Sequence, residues 1–354
     1  MSRTWLALRW LLLPWWLLQV FSGEKAFHPN PILGSPALNR WGLFVWRGRL
    51  AERLTALRRR KLAHLVNEAD RSAFDRDGFI LKPDFAPPDL FRRLVEEVEG
   101  FRGRAGEFKE GDAITRRIPL TPENLRRLPA CKALLDLPAW RGLTRYVSSF
   151  DAEPQVSIQT IFTKVDDGPR DPQTSMHTDT FHSTMKAWLF LEDVAEEDGP
   201  FCYVPGAHRR TRRREVWERR KSIEASDPRT RRKGGAFRVT RAELARLKAP
   251  EPRRFPVRAN TLVVADTHGF HARSPSARPS ARVEIWASSR RNPFTPFTGA
   301  GGSSGALRGF GVALAWRLVE LRRRFGLPAP QFRQVAATLP KAPPEPWTRR
   351  PTSS

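Results

Sequence analysis

Five short apolar runs, VSIQTIFTKV, MKAWLFLEDV, FCYVPG, TLVVAD and ARVEIWAS, limit what this chain can fold into. Each is of strand length, rich in β-branched and aromatic residues, and bounded by Gly, Pro or Asp turns. The pattern predicts a mainly β fold with flanking helices, an antiparallel sandwich or barrel behind N-terminal helices. Ahead of these runs, DRDGFILKPDFAPPDLFRRLVEEVEGF predicts a short strand over Phe79–Lys82 and a helix starting near Pro87.

The 354 residues suffice for one large domain or two ordinary ones. Hydrophobic residues at 40% and charged residues at 28% exclude collagen-like, coiled-coil and wholly disordered chains. A net charge of +25 attracts polyanions, either nucleic acid or an anionic membrane surface. The two cysteines, Cys131 and Cys202, exclude a disulfide framework and a Cys-rich zinc site. They favour a reducing, cytoplasmic setting and leave any metal to His, Asp and Glu.

Three regions are expected. Residues 1–69 combine the apolar, Trp-rich stretch Trp5–Phe21 with a basic helix whose apolar positions are Leu43, Trp46, Leu50, Leu54 and Leu57. Arg9, Pro14 and Gln19 interrupt the stretch, and its Trp content suits a membrane interface better than a span. A peripheral anchor on an anionic membrane is the expectation; a cleavable signal and a buried core helix are the alternatives. Residues 70–297 form the globular body, with an Arg-rich insert at 209–254. Residues 298–354 read as a flexible linker, an amphipathic helix over Val312–Phe325 and a Pro-rich tail.

Chemistry concentrates in MHTDTFHSTMKAWLFLEDV. His177 and Asp179 are two residues apart, so on extended backbone both side chains share a face and can bind one ion. TLVVADTHGFHARSPSARPSARVEIW offers His268 and His271 for a third ligand. Two His and one carboxylate with open positions is the arrangement of non-haem Fe(II) oxygenases. Eleven residues past His271, Arg282 lies in an apolar strand, where a buried guanidinium needs an anion. Alternation places Glu284 and Trp286 on the same face as Arg282.

With these motifs the chain resembles the phytanoyl-CoA dioxygenase family over roughly Asp77–Trp286. The resemblance rests on the DGF at Asp77–Phe79, His177-x-Asp179, Trp188, GPFCYVPGAH at Gly199–His208, His271 and Arg282. It implies a double-stranded β-helix, a cupin-like jelly roll with the metal site inside one end. It also implies Fe(II) on His177, Asp179 and His271, with Arg282 holding the distal carboxylate of 2-oxoglutarate. With O2 as the other cosubstrate, the implied reaction is hydroxylation with release of succinate and CO2. The presence of Asp179 favours hydroxylation over halogenation, and the spacing to Arg282 favours His271 over His268. Gln159 and Lys164, on the preceding strand, are weaker candidates for cosubstrate contact. Ala259-Asn260 and Arg273 depart from the family pattern.

The leading expectation is therefore a membrane-associated dioxygenase acting on a lipid or acyl-type substrate. A nucleic-acid-binding protein or base-modifying oxygenase is the second reading, although no zinc finger or RNA-recognition signature accompanies the charge. A non-catalytic jelly-roll scaffold is the third.

Overall fold

Alternation within the apolar runs sends one set of side chains between two sheets and the other set under a layer of helices. The computed structural model describes residues 12–28, 30–230, 235–299, 314, 316–319, 321–322, 324–325 and 331–347. Trp5 and Trp10, most of the 298–305 linker and much of the Val312–Phe325 stretch lie outside the described residues.

The helices are α1 (Leu13–Val20), α2 (Pro36–Trp41), α3 (Leu43–Leu62), α4 (Glu68–Asp77) and α5 (Pro88–Gly100). They continue with α6 (Pro122–Arg126), α7 (Pro129–Asp136), α8 (Pro138–Ser148), α9 (Arg212–Ser226) and α10 (Arg241–Leu247). The strands are β1 (Phe79–Lys82), β2 (Gly103–Glu110), β3 (Ala113–Pro119), β4 (Gln155–Thr163), β5 (Met185–Phe190) and β6 (Phe201–Tyr203). They end with β7 (Arg253–Arg254), β8 (Leu262–Asp266), β9 (His271–Arg273), β10 (Ser280–Ser289) and β11 (Phe332–Thr338).

Eight strands form one sheet in the order β1-β8-β5-β10-β4-β3-β2-β11, and three form a second in the order β7-β6-β9. Every pair is antiparallel, and the two sheets face each other as the jelly roll that the sequence predicts. Phe79, Trp188, Phe201, Tyr203, Phe255 and Trp286 fill the space between them. Behind the large sheet, Leu94 and Val98 of α5, Leu134 of α7 and Trp140 of α8 pack on Ile158, Leu189 and Ile285. Each side chain buried this fully contributes about 1.5–3 kcal/mol.

Three parts differ from the sequence expectations. The 209–254 insert is largely helical and packed, with Arg214, Trp217 and Glu218 of α9 buried. Residues 332–338 of the supposed tail pair with β2 as an edge strand, so the sheet extends past residue 297. Finally, α3 does not stand apart from the body. Its buried face is Phe44, Arg47, Gly48, Ala51, Thr55, Arg58 and Leu62, while Trp46 and Leu57 of the expected apolar stripe are exposed. Two arginines belong to that buried face because each guanidinium donates to backbone carbonyls and lies over an aromatic ring. Arg58 donates to the carbonyls of Pro293 and Thr295 and lies 4.3 Å over the Phe150 ring. Arg47 donates to the carbonyls of Val20, Ser22 and Glu24 and lies 4.1 Å over Phe181.

Candidate active site

The segment holding His177 is extended and lies between β9 and the 235–240 segment. It exchanges two backbone hydrogen bonds with His271, both 2.9 Å, and bridges Arg238 on its other side. This pairing brings the two imidazoles together, with ring centroids 4.5 Å apart. The approach to His271 requires Gly269, because a Cβ there would lie 1.8 Å from the Tyr203 hydroxyl oxygen.

Each imidazole is held by its Nδ1, that of His177 2.8 Å from the Ser175 carbonyl oxygen and that of His271 3.0 Å from the Gly269 carbonyl oxygen. With Nδ1–H donating, Nε2 carries the lone pair. The two Nε2 atoms lie 3.9 Å and 3.7 Å from Asp179 Oδ1. All three ligand atoms fall within 4.8 Å of one another. Nε2 of His271 is buried with no hydrogen-bond partner among the described residues, a costly state that a metal ion would relieve.

The electrostatics suit a cation. Burial pushes the His271 imidazole down to about 3 and lowers His177 as well, so both are neutral ligands at pH 7. Burial alone would raise the Asp179 carboxyl, but Lys186, and then the two histidines, hold it well below the usual carboxylate range. Lys186 Nζ lies 2.7 Å from Oδ2, which leaves Oδ1 facing the imidazoles.

These groups open into a cavity of about 400 Å³ whose floor is a polar row across the large sheet. Register places Arg117 of β3 opposite Gln159 of β4, and Gln159 opposite Glu284 of β10. Arg117 Nε donates to Gln159 Oε1 at 2.7 Å, and Gln159 Nε2 donates to Glu284 Oε1. Arg282 Nε closes the row, 3.3 Å from Glu284 Oε2, while its Nη1 donates to the Gly199 carbonyl at 2.9 Å. Arg117 lies 3.9 Å over the Trp286 ring and has no carboxylate partner among the described residues. Burial lowers it to about 10.

Residues 74–248 match the phytanoyl-CoA dioxygenase family. That segment, just under half of the chain, is of this family. The chain is an iron- and 2-oxoglutarate-dependent oxygenase. No curated protein matches the sequence. Among solved structures, the epimerase SnoN of nogalamycin biosynthesis is similar at 17% identity over 64% of this chain and 82% of its own, with a TM-score of 0.40. HygX from Streptomyces hygroscopicus, with nickel, 2-oxoglutarate and hygromycin B bound, is similar at 16% over 63% and 86%, TM-score 0.37. EctD from S. alaskensis, with bound Fe, is similar at 15% over 63% and 76%, TM-score 0.39.

Two departures from the family pattern have local explanations. Asn260 adopts φ 62°, a left-handed conformation that Asn tolerates, and its side chain makes two hydrogen bonds with the Ala86 backbone. Arg273 lines the cavity and is neutralised by Asp171 at 2.6 Å.

Of the residues expected at the site, His177, Asp179, His271, Arg282 and Gln159 all line the cavity. Lys164 does not. It follows β4 with φ 50°, and its ammonium turns away to the Ala277 carbonyl. His268 lies outside the triad, with its Nδ1 3.1 Å from the Thr180 carbonyl oxygen. His182 is buried and lines a second cavity of about 540 Å³, separate from the one that holds the triad. Arg117, Lys186 and Lys25 were missed. The first two sit on strands at inward positions, a signal alternation carries, whereas Lys25 arrives from a remote segment with no local signal.

Proposed function

We propose that this chain hydroxylates an aliphatic C–H bond of a lipid or acyl-type substrate, and that it does so at the cytoplasmic surface of an anionic membrane. The convergence of His177 Nε2, Asp179 Oδ1 and His271 Nε2 on one point carries the catalytic part. Iron held there supplies oxidising power from O2 and 2-oxoglutarate: R–H + 2-oxoglutarate + O2 → R–OH + succinate + CO2. The chain's own part is to hold both imidazoles neutral and oriented, fix the carboxylate through Lys186, and exclude water with Trp188, Phe190 and Phe201. Arg282 and Arg117 supply the cationic floor for the carboxylate end of the keto acid.

Surface character supports the membrane part. Among the described residues no helix is long and apolar enough to cross a membrane. Yet α1, LPWWLLQV, buries only Val20, and Trp15, Leu18, Trp41 and Trp46 are exposed beside Arg40 and Arg53.

Anaerobic titration with Fe(II) and 2-oxoglutarate tests the site. A visible metal-to-ligand charge-transfer band is expected in the native chain and absent in Asp179→Ala and His177→Ala. Its absence from well-folded native protein would refute the assignment. Sedimentation with phosphatidylglycerol vesicles that is unchanged in Leu18→Glu would refute the docking surface.

A further inference from the structure

The cavity holds more positive charge than its own acids neutralise, and the excess is not distributed evenly. Lys186 pairs with Asp179, Arg282 with Glu284, Arg273 with Asp171 and Lys109 with Asp166. The remaining lining acid, Glu110, accepts a hydrogen bond from Gln173. Lys25, Arg117 and Arg238 line the same cavity with no carboxylate in ion-pair contact among the described residues. Arg117 belongs to the floor with Arg282. Lys25 and Arg238 are set apart from it: Lys25 Nζ donates to the Asp179 carbonyl at 2.7 Å, and Arg238, whose backbone bridges that of His177, is exposed and donates its Nη2 to the Pro172 carbonyl at 3.1 Å.

Lys25 is held there by design of the fold. The strap before it is fixed by the Arg47 guanidinium through the carbonyls of Val20, Ser22 and Glu24, and the Gly235 N–H donates to the Lys25 carbonyl. On its far side, Phe27 stacks on Phe44 and Phe237. A half-buried ammonium positioned by this much packing, near Asp179 and Glu24 but with no carboxylate in ion-pair contact among the described residues, matches an anionic ligand.

We infer that Lys25 and Arg238 form an oxyanion subsite for the substrate, so that the molecule hydroxylated carries a phosphate or carboxylate close to the reacting carbon. This rests on the oxygenase reading above and narrows its substrate class. Lys25 lies outside the 74–248 family match, in the strap ahead of α2.

Isothermal titration of octyl phosphate, octanoate and octyl glucoside into anaerobic protein loaded with Fe(II) and 2-oxoglutarate tests the subsite. Octyl phosphate or octanoate should bind at least about tenfold tighter than octyl glucoside, and the stronger of the two names the headgroup. Lys25→Gln and Arg238→Gln should each remove most of that preference while retaining the charge-transfer band. Equal binding of charged and neutral probes, or a preference that survives in both variants, overturns the inference. A native protein without the band overturns the oxygenase reading itself, and this inference falls with it.

Discussion

The Nε of Arg282 lies 3.3 Å from Oε2 of Glu284, two residues further along the same strand and on the same face. The cation expected to receive a cosubstrate carboxylate thus already has a carboxylate beside it, and both are buried. Glu284→Gln should therefore tighten 2-oxoglutarate binding, by about tenfold if one charged contact is released. Arg282→Ala should weaken it by at least as much. Burial pushes the Glu284 carboxyl above its ordinary value. As pH falls it protonates early and frees Arg282, so native affinity should rise toward acid and Glu284→Gln should abolish that dependence. Charge-transfer titrations of native protein and Glu284→Gln as the pH is lowered from neutral measure both effects.

Arg47 joins the N-terminal strap to the loop that carries Asp179, because it binds strap carbonyls while lying over Phe181. Arg47→Ala should cost about 2–4 kcal/mol, the penalty of leaving buried carbonyls unpaired. Arg47→Lys should recover only part, since an ammonium lacks the planar fork. Urea unfolding gives the stability change.

His182 is buried, with Nε2 unpartnered, and burial pushes its imidazole down to about 3. Burial likewise lowers the imidazole of His268. Between that low value and the unfolded value near 6.5, the unfolded chain binds protons that the folded chain does not. Stability is therefore complete above about pH 6.5 and falls with acid, at up to about 1.4 kcal/mol per pH unit for each imidazole. His182→Gln should flatten the slope of unfolding free energy between pH 4.5 and 6.5.

Asn260 combines a left-handed backbone with two side-chain hydrogen bonds to Ala86. Asn260→Ala should lose about 1–2 kcal/mol from strain and about 1 kcal/mol per hydrogen bond. Asn260→Gly should keep the backbone and lose only the bonds. Comparing the two melting temperatures separates the contributions.

The legible parts of the fold were those where apolar residues alternate: β1, β4, β5, β6, β8 and β10 lie where their runs predict. The pair β2 and β3 was not legible because the face they turn away from the cavity includes a buried ion pair, Arg116 with Glu107 at 2.6 Å, whose charges in GRAGEFKE and AITRRIP look like those of a solvated strand. The same inversion hid the buried face of α3, where Arg47 and Arg58 take the places that leucines would normally fill. At the site, motif spacing found the residues close in sequence, and the structure gathers them into one cavity. What it could not reveal was Lys25, which meets Asp179 across 154 residues, or that Glu284 occupies the partner position of Arg282.

Both ends of the described chain reach the reaction chamber. Lys25 forms part of its wall, and Gln331, at the start of the β11 edge strand, forms another. A fragment cut to the family-matching residues 74–248 would lose these walls together with His271 and Arg282, leaving a fold remnant that can neither complete the ligand triad nor enclose a substrate. The proposed catalytic unit is therefore larger than the segment matched by the family model, and its outer segments are where this chain has room to become selective.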